Sequence, residues 1–119
     1  MEQDNLTGVQ LIAAERLRQI TQEGWSAEHD SSLTGQQLAY AAMCYADPNK
    51  REVPVPEGVE EKRWPVVVRN GVTYVVLPPS FWPAILEWKP TPDDRVRELT
   101  KAGALIAAEI DRLLNTGEA

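Results

Sequence analysis

The stretch TPDDRVRELTKAGALIAAEIDRLL, residues 91–114, decides the fold of this chain. Apolar or small residues recur in it at alternating spacings of three and four, the period of a helical seam of core or coiled-coil type. The members of the seam are Val96, Leu99, Gly103, Ile106, Ile110 and Leu113. Thr91 is suited to cap this helix and Pro92 to occupy its first position. Asp93 and Asp94 would then lie at the positive end of the helix dipole.

Small residues in the same stretch would let a second helix approach closely. They are Ala102, Gly103, Ala104, Ala107 and Ala108. The partner is either the first helix of the same chain or the same helix of a second subunit, and the sequence leaves both open. The second alternative predicts a homodimer or a larger oligomer.

Two more helices are predicted before this one. The first has one apolar stripe and stops at Gly24, a common helix-ending residue; the stripe comprises Val9, Ala13, Leu17 and Ile20. The second covers about residues 34–46, with Leu38, Ala42 and Tyr45 at helical spacing. It ends at Asp47-Pro48, because the residue before a proline is driven out of the α region.

A β-hairpin is predicted at residues 66–76, where two runs of β-branched residues flank Asn70-Gly71. Two strands alone are marginally stable in water, so the hairpin must pack on the helices or pair with another strand. The segment before it, which follows Pro48 and runs through Pro54 and Pro56 to Lys62, has no periodicity and is interpreted as a loop or linker. Residues 78–90 form a proline-rich aromatic connector.

These elements predict an α+β fold that is mostly helical, a small helical bundle with one inserted hairpin. We expect a single domain over residues 1–119, with the insert at about residues 47–90. The chain has 119 residues, of which 43% are hydrophobic and 25% charged, an ordinary balance for a globular protein.

The formal charge of −6 disfavours general nucleic-acid binding, because a negative surface repels phosphate backbones. No apolar run approaches the roughly 20 residues that cross a bilayer, and no secretory signal is visible at the N-terminus. Cys44 is the only cysteine, so it is predicted to be a buried structural thiol in a reducing compartment. We therefore expect a cytoplasmic protein without membrane association.

Four acids are candidates for a two-metal phosphate site, which needs about four converging carboxylates on Mg²⁺. They are Glu15, Glu23, Glu109 and Asp111. Their helical spacing does not place them on common faces. The alternative interpretation is that Glu15 pairs with Arg18 and Glu109 with Arg112, as surface ion pairs three residues apart.

A ligand site is the second candidate. His29-Asp30 could supply a general base or one metal ligand, or could shape its loop and cap the next helix. Aromatic rings and cations could together hold a nucleotide near the start of the last helix; these residues are Trp25, Tyr40, Trp82, Trp88, Lys89 and Arg95. The alternative is that the tryptophans form the core of a small protein.

Two segments together resemble small phage and prophage proteins of MazG-like type, related to the all-α nucleoside triphosphate pyrophosphohydrolases. The segments are Glu15 to Asp30, with its Gly24-Trp25 and His29-Asp30, and Glu98 to Leu113. The resemblance implies a helical bundle, often oligomeric, in which two acidic pairs bind Mg²⁺. The bound Mg²⁺ would serve the release of pyrophosphate from a nucleoside triphosphate. This chain has Gln37 and Tyr40 where the first pair would stand, and Arg112 three residues after Glu109.

The function expected from this pattern is that of a phage accessory protein that binds a nucleotide-type ligand or a host protein and needs no cofactor. One alternative is a divergent Mg²⁺-dependent pyrophosphohydrolase that uses the four acids named above. Another is a protein–protein inhibitor of a host defence factor, which would bind no nucleotide.

Overall fold

In the part of the chain that the structure describes, two helices are followed by three strands and a long final helix. The computed structural model describes residues 6–23, 37–56, 65–79, 82 and 87–117. Within these ranges the helices are α1 (Gly8–Glu23), α2 (Gln37–Ala46) and α3 (Arg95–Thr116), and the strands are β1 (Arg51–Pro54), β2 (Val66–Arg69) and β3 (Val72–Leu77). The predicted α+β, mostly helical fold is confirmed.

The hydrophobic core lies between α2 and α3. It is built from small and medium side chains, all at most 5% exposed: Leu38, Ala41, Ala42, Tyr45, Ala102, Leu105 and Ala108. The alanines on both helices let the two backbones approach closely, but the partner is α2, which is neither of the two partners expected from the sequence. Gly103 meets Ile12 of α1, the first of those expected partners. Leu38, Ala42 and Tyr45 are all buried, so the face predicted for the second helix is confirmed.

The predicted apolar stripe of α1 is not its buried face. Val9 and Leu17 are 78% and 61% exposed, whereas the buried side of the helix carries Glu15, Arg16 and Gln19. Polar residues are buried here because α3 supplies partners for them, which hydrophobic periodicity cannot indicate. Ile12 makes the apolar contact between the two helices at Gly103.

The last helix begins later than predicted. Asp94 is its N-cap, and its side chain accepts a hydrogen bond from the backbone N–H of Arg97 at 3.0 Å. Thr91 is therefore not the cap and Pro92 is not the first helical residue; both lie in a turn closed by the Asp94 N–H on the Thr91 carbonyl at 2.9 Å. At the other end Gly117 has φ 76° and its N–H donates to the Leu113 carbonyl, which stops the helix.

The predicted hairpin is confirmed, with Arg69 opposite Val72 across a two-residue turn. A third strand joins it: β1 pairs antiparallel with β3, so the sheet order is β1-β3-β2. The loop interpretation of the segment between Pro48 and Lys62 is therefore wrong over Arg51–Pro54, which form β1. Residues 57–62 of that segment lie outside the described part of the chain. β1 lies at the sheet edge, where a proline can end a strand without breaking the ladder.

Several other sequence-based expectations fall outside the described residues. The stop at Gly24, residues 34–36 of the second helix and most of the aromatic connector are among them. None of the helices that the structure describes combines the length and the apolar character needed to cross a bilayer.

The backbone conformation of the Asn70-Gly71 turn predicts how one substitution changes the stability of the protein. Both residues have positive φ, 52° and 79°, as a type I′ turn requires. We expect Gly71→Ala to lower the free energy of unfolding by about 1–2 kcal/mol, because an L side chain is disfavoured in the left-handed region. Urea denaturation measures the change.

The matched control is Gly8→Ala at the start of α1, where an added Cβ would meet nothing within 4 Å. That variant should be as stable as the wild type or slightly more stable, since alanine favours a helix over glycine. Equal losses at Gly8 and Gly71 would contradict the turn assignment.

Candidate functional site

Glu15 of α1 is buried and is held by cations on two helices. Its carboxylate accepts two hydrogen bonds from Arg18, each at 2.8 Å, and pairs with Arg97 of α3 at 2.7 Å. The Gln19 amide donates to the same group at 3.3 Å. The side chain of Glu15 is only 1% exposed, while those of Arg18 and Arg97 keep about a third of their surface in water.

Two opposing effects set the pKa of Glu15. Burial alone raises the pKa, since a low-dielectric site disfavours the charged carboxylate, and it is the largest single effect. The hydrogen bonds and charges of Arg18 and Arg97 together outweigh burial, so the pKa of Glu15 lies below its usual value. The group is therefore a stable carboxylate at neutral pH.

The acids proposed on α3 are also neutralised by arginines. Glu109 accepts two hydrogen bonds from Arg112, at 2.7 and 3.1 Å, and both residues are buried. Asp111 pairs with Arg16 of α1 at 3.4 Å. The predicted Glu15–Arg18 and Glu109–Arg112 pairs thus form. Glu15 and Glu109 lie in the protein interior, however, and not on its surface.

Glu23 is the last residue of α1. Within the described part of the chain, no group of three or more His, Cys, Asp or Glu side chains is arranged to hold a metal ion.

Three aromatic rings cluster where the connector meets α2. Trp88 stacks on Tyr45 with ring centroids 5.1 Å apart, and Trp82 packs edge-on against both at 5.5 and 4.7 Å. Both tryptophans pack against the hydrophobic core. The Trp88 indole N–H donates to the Val76 carbonyl at 3.0 Å, which ties the sheet to the helices. These two tryptophans therefore pack as core residues, which was the alternative interpretation of the aromatic residues.

Lys101 connects this aromatic cluster to the polar contacts of α3. Its ammonium lies 5.3 Å from the centroid of the Tyr45 ring and donates to the Lys89 carbonyl. The Lys89 backbone N–H in turn donates to the Tyr45 hydroxyl at 2.9 Å. Burial, reinforced by the charge of Arg97, lowers the pKa of Lys101. Sequence analysis missed Lys101 and Tyr45, since both fit ordinary helix patterns.

On the other side of α2 a buried ion pair joins Lys50 and Glu98. Their charged groups are 2.7 Å apart, with side chains 7% and 2% exposed. Glu98 also accepts from the backbone N–H of Thr91 at 3.0 Å and from the Thr91 hydroxyl at 3.2 Å. Lys50 donates to the Tyr45 carbonyl at 2.8 Å. This pair closes the end of α2 against the start of α3.

A cleft of about 280 Å³ opens beside this pair, and we call it the basic cleft. Its lining comprises Pro48, Asn49, Lys50, Glu52, Arg69, Pro92, Arg95 and Glu98. Arg69 bridges Glu52 at 2.9 Å and Asp93 at 2.7 Å, and these partners raise its pKa further. Arg95 donates to the Ala46 carbonyl at the C-terminus of α2. Three cations thus face one cavity of small-molecule dimensions, together with the carboxylates of Glu52 and Glu98.

The structure separates the predicted ligand residues into two groups. Trp82, Trp88 and Lys89 meet around Tyr45, whereas Arg95 lies on the basic cleft. Tyr40 is 44% exposed on α2. The remaining three, Trp25, His29 and Asp30, lie outside the described residues, and their role in a site stays a prediction. No sequence signal identified Lys50, which follows the helix-ending proline in a polar segment.

Cys44 is buried, as predicted. Desolvation raises the pKa of its thiol, which keeps it protonated and unreactive at neutral pH.

Comparison with known proteins adds no relative. No protein-family model, curated protein or solved structure matches the chain.

The ion pairs of Glu15 predict how stability depends on acid. Because its folded pKa is depressed, this contribution is complete above the unfolded value of about 4.5 and is lost as pH falls through the lower folded value. We expect Glu15→Gln to cost about 2–3 kcal/mol at pH 7, less than a fully buried pair, because both arginines remain partly hydrated. The deficit of the variant should shrink below pH 4.5.

Urea midpoints of wild type and Glu15→Gln between pH 7 and pH 3 measure this effect. Glu87→Gln is the control, since Glu87 has a 75% exposed side chain and only a loose contact with Lys89 at 3.6 Å. A constant difference between wild type and Glu15→Gln at every pH would contradict the assignment.

Proposed function

We propose that the chain acts by binding a nucleotide-type ligand through its phosphate groups, without hydrolysing it. The observation that carries the proposal is that Glu15, Glu109 and Asp111 are each already paired with arginine. Mg²⁺ requires carboxylate oxygens that are available for octahedral coordination. At Glu15 and Glu109 a guanidinium occupies both oxygens and would have to be displaced before a metal could bind. Asp111 is half exposed and contacts Arg16 through Oδ2 alone.

The basic cleft is the part of the molecule that supports phosphate binding. Arginine is well suited to phosphate because its planar group donates two parallel hydrogen bonds. Arg69 and Arg95 line the cleft, and the volume of about 280 Å³ is close to the lower end of ligand pockets. A phosphate there would compete with two carboxylates, Glu52 and Asp93, for Arg69. Their side chains are 25% and 66% exposed, so water can solvate a carboxylate that the phosphate displaces.

The origin of the scaffold is part of the proposal. The resemblance of residues 15–30 and 98–113 to MazG-like proteins favours a phage accessory protein derived from a nucleotide-hydrolase bundle and working in the host cytoplasm. Under this proposal the chain keeps the ancestor's ability to bind phosphate groups and has lost its Mg²⁺-dependent hydrolysis. A homodimer fits the same origin, since such bundles are often oligomeric.

A protein target is the second candidate. Large apolar side chains are exposed on the described helices, including Met43 and Leu114 at 58% and 64%. Exposed apolar patches of this kind mark protein interaction surfaces. A host defence factor could be such a target, and this version of the function needs no nucleotide.

Incubation with linear and cyclic nucleotides and Mg²⁺ distinguishes these functions. We expect a nucleotide to be depleted from solution and recovered intact after heating, as chromatography would measure. Arg95→Gln should weaken its binding at least about tenfold, the effect of losing one charge-assisted contact of about 1.5–3 kcal/mol. Arg51→Gln, an exposed arginine on β1 outside the cleft lining, is the matched control and should bind normally.

Two results would contradict this proposal. Mg²⁺-dependent release of pyrophosphate that is lost in Glu109→Ala would establish the pyrophosphohydrolase alternative. Complete absence of nucleotide binding, together with a stoichiometric complex with one host protein, would establish the inhibitor alternative.

A further inference from the structure

The basic cleft is lined by charged and polar side chains and by two prolines. No aromatic ring is among the described residues that form this lining. Trp82 and Trp88 pack instead around Tyr45, against the hydrophobic core. Proteins commonly hold nucleobases by stacking them on aromatic side chains, because every base has a π face. The described walls of the cleft therefore offer a base no such stacking surface.

The size of the cleft limits the ligand in the same way. Its volume of about 280 Å³ lies below the range of about 300–1,000 Å³ in which a pocket buries most of a drug-sized ligand. A nucleotide combines a phosphate, a sugar and a base, so only part of it can be enclosed. The hydrogen-bonding groups of the lining decide which part that is.

Lys50 contributes charge to the cleft, but its hydrogen bonds are committed within the protein. An ammonium has three N–H groups, and three acceptors already surround this one. They are the Glu98 carboxylate and the backbone carbonyls of Tyr45 and Asp47. Glu98 is committed as well, since it also accepts from the backbone N–H and the hydroxyl of Thr91. Recognition of a ligand therefore falls to the other charged residues of the lining.

The two arginines of the cleft keep donors for an anion. Among the described residues, Arg95 donates to one acceptor, the Ala46 carbonyl, although a guanidinium has five N–H groups. Arg69 makes two hydrogen bonds with Glu52 and one with Asp93. Asp93 is the weaker partner of Arg69, because its side chain is 66% exposed and that of Glu52 only 25%. A phosphate can therefore replace Asp93 on Arg69 while Glu52 stays in place.

Glu52 supplies acceptors for the hydroxyl groups of a sugar. Its two carboxylate oxygens have about four acceptor positions in total, and hydrogen bonds from Arg69 take up two of them. A carboxylate accepts ribose hydroxyls in the same way in dinucleotide-binding folds. The rings of Pro48 and Pro92 add apolar surface for the C–H groups of a sugar. One part of the lining thus suits a phosphate and another part suits a polyol.

We infer that the basic cleft recognises a phosphorylated sugar, and that a nucleotide bound there leaves its base outside. The phosphate lies on Arg95 and Arg69, in the position that Asp93 takes in the free protein, and the sugar hydroxyls donate to Glu52. Ribose 5-phosphate is then sufficient for binding and the identity of the base has no effect, given that the cleft is the phosphate site of the proposed function on which this inference rests.

The test is isothermal titration calorimetry of the full chain with ribose 5-phosphate, inorganic phosphate, AMP, GMP, CMP and UMP. We expect ribose 5-phosphate and the nucleotides to have dissociation constants within about threefold of one another, because the group they share makes the contacts. Inorganic phosphate should bind at least about tenfold more weakly, since it lacks the hydroxyl contacts with Glu52. Arg95→Gln should weaken the binding of all of them, and Arg51→Gln should not.

Asp93→Asn tests the position of the phosphate. Removal of the competing carboxylate from Arg69 should raise the affinity for ribose 5-phosphate about two- to fivefold, the effect of one exposed ion pair. Asp94→Asn is the matched control, because it removes the same charge one residue away, outside the cleft lining, and asparagine preserves the N-cap of α3. That variant should change the affinity by less than about twofold, since salt screens a charge without a direct contact.

The outcomes separate this inference from the proposed function. Nucleotides that bind while ribose 5-phosphate does not, or that differ from one another by more than about tenfold, would overturn the inference and leave the proposed function standing. Binding of ribose 5-phosphate without binding of any nucleotide would support the inference and contradict the proposed nucleotide ligand. Binding of neither would overturn both. Equal gains in affinity for Asp93→Asn and Asp94→Asn would overturn the position assigned to the phosphate.

Discussion

The buried carboxylate of Glu98 is the constraint on which the rest of the arrangement depends. A charge that is 2% exposed must be neutralised and hydrogen-bonded, or folding would cost several kcal/mol. Lys50 supplies the opposite charge, and Thr91 supplies two donors. Lys50 directly precedes β1, and Thr91 lies just before α3. The contacts of Glu98 with these two residues therefore fix the position of β1 relative to the end of α2 and the point at which α3 starts. The same contacts hold Lys50 and Glu98 in place as part of the lining of the basic cleft.

Much of the fold could be predicted from sequence because its signals are local. Asn70-Gly71 specifies a hairpin turn, Asp47-Pro48 ends a helix, and the apolar spacing of the second helix marks its buried face. The buried sides of α1 and α3 could not be predicted, and most of the seam predicted for α3 is exposed. In α1 hydrophobicity indicates Val9 and Leu17, but ion pairs with α3 make Glu15 and Arg16 the inner residues. Long-range partners such as Arg97 leave no periodic trace.

The candidate site was predictable only in part. The sequence identified Glu15, Glu109 and Asp111 as unusual acids and also identified two of the arginine pairs. It could not show that the acids of these pairs are buried. The pairs therefore belong to a polar layer inside the protein and not to its solvated surface. Such a layer fixes the relative position of helices that an apolar contact alone would let slide. The resemblance to nucleotide hydrolases stays a prediction. Among the described residues no three acids are arranged to hold a metal ion, and Glu15 instead joins α1 to α3 through Arg97.

The short sheet also limits how this protein can associate. In the order β1-β3-β2 the two outer strands are only four residues long. β1 ends at Pro54, which has no backbone N–H to donate to an added strand. Pro65, just before β2, faces the interior of the sheet instead, because its carbonyl accepts the Val76 N–H of β3 at 2.9 Å. Arg51 and Arg69 each place a charge at one end of an outer strand. Extension of the sheet into a second molecule is thus discouraged at the β1 margin, within the same insert that carries the hairpin.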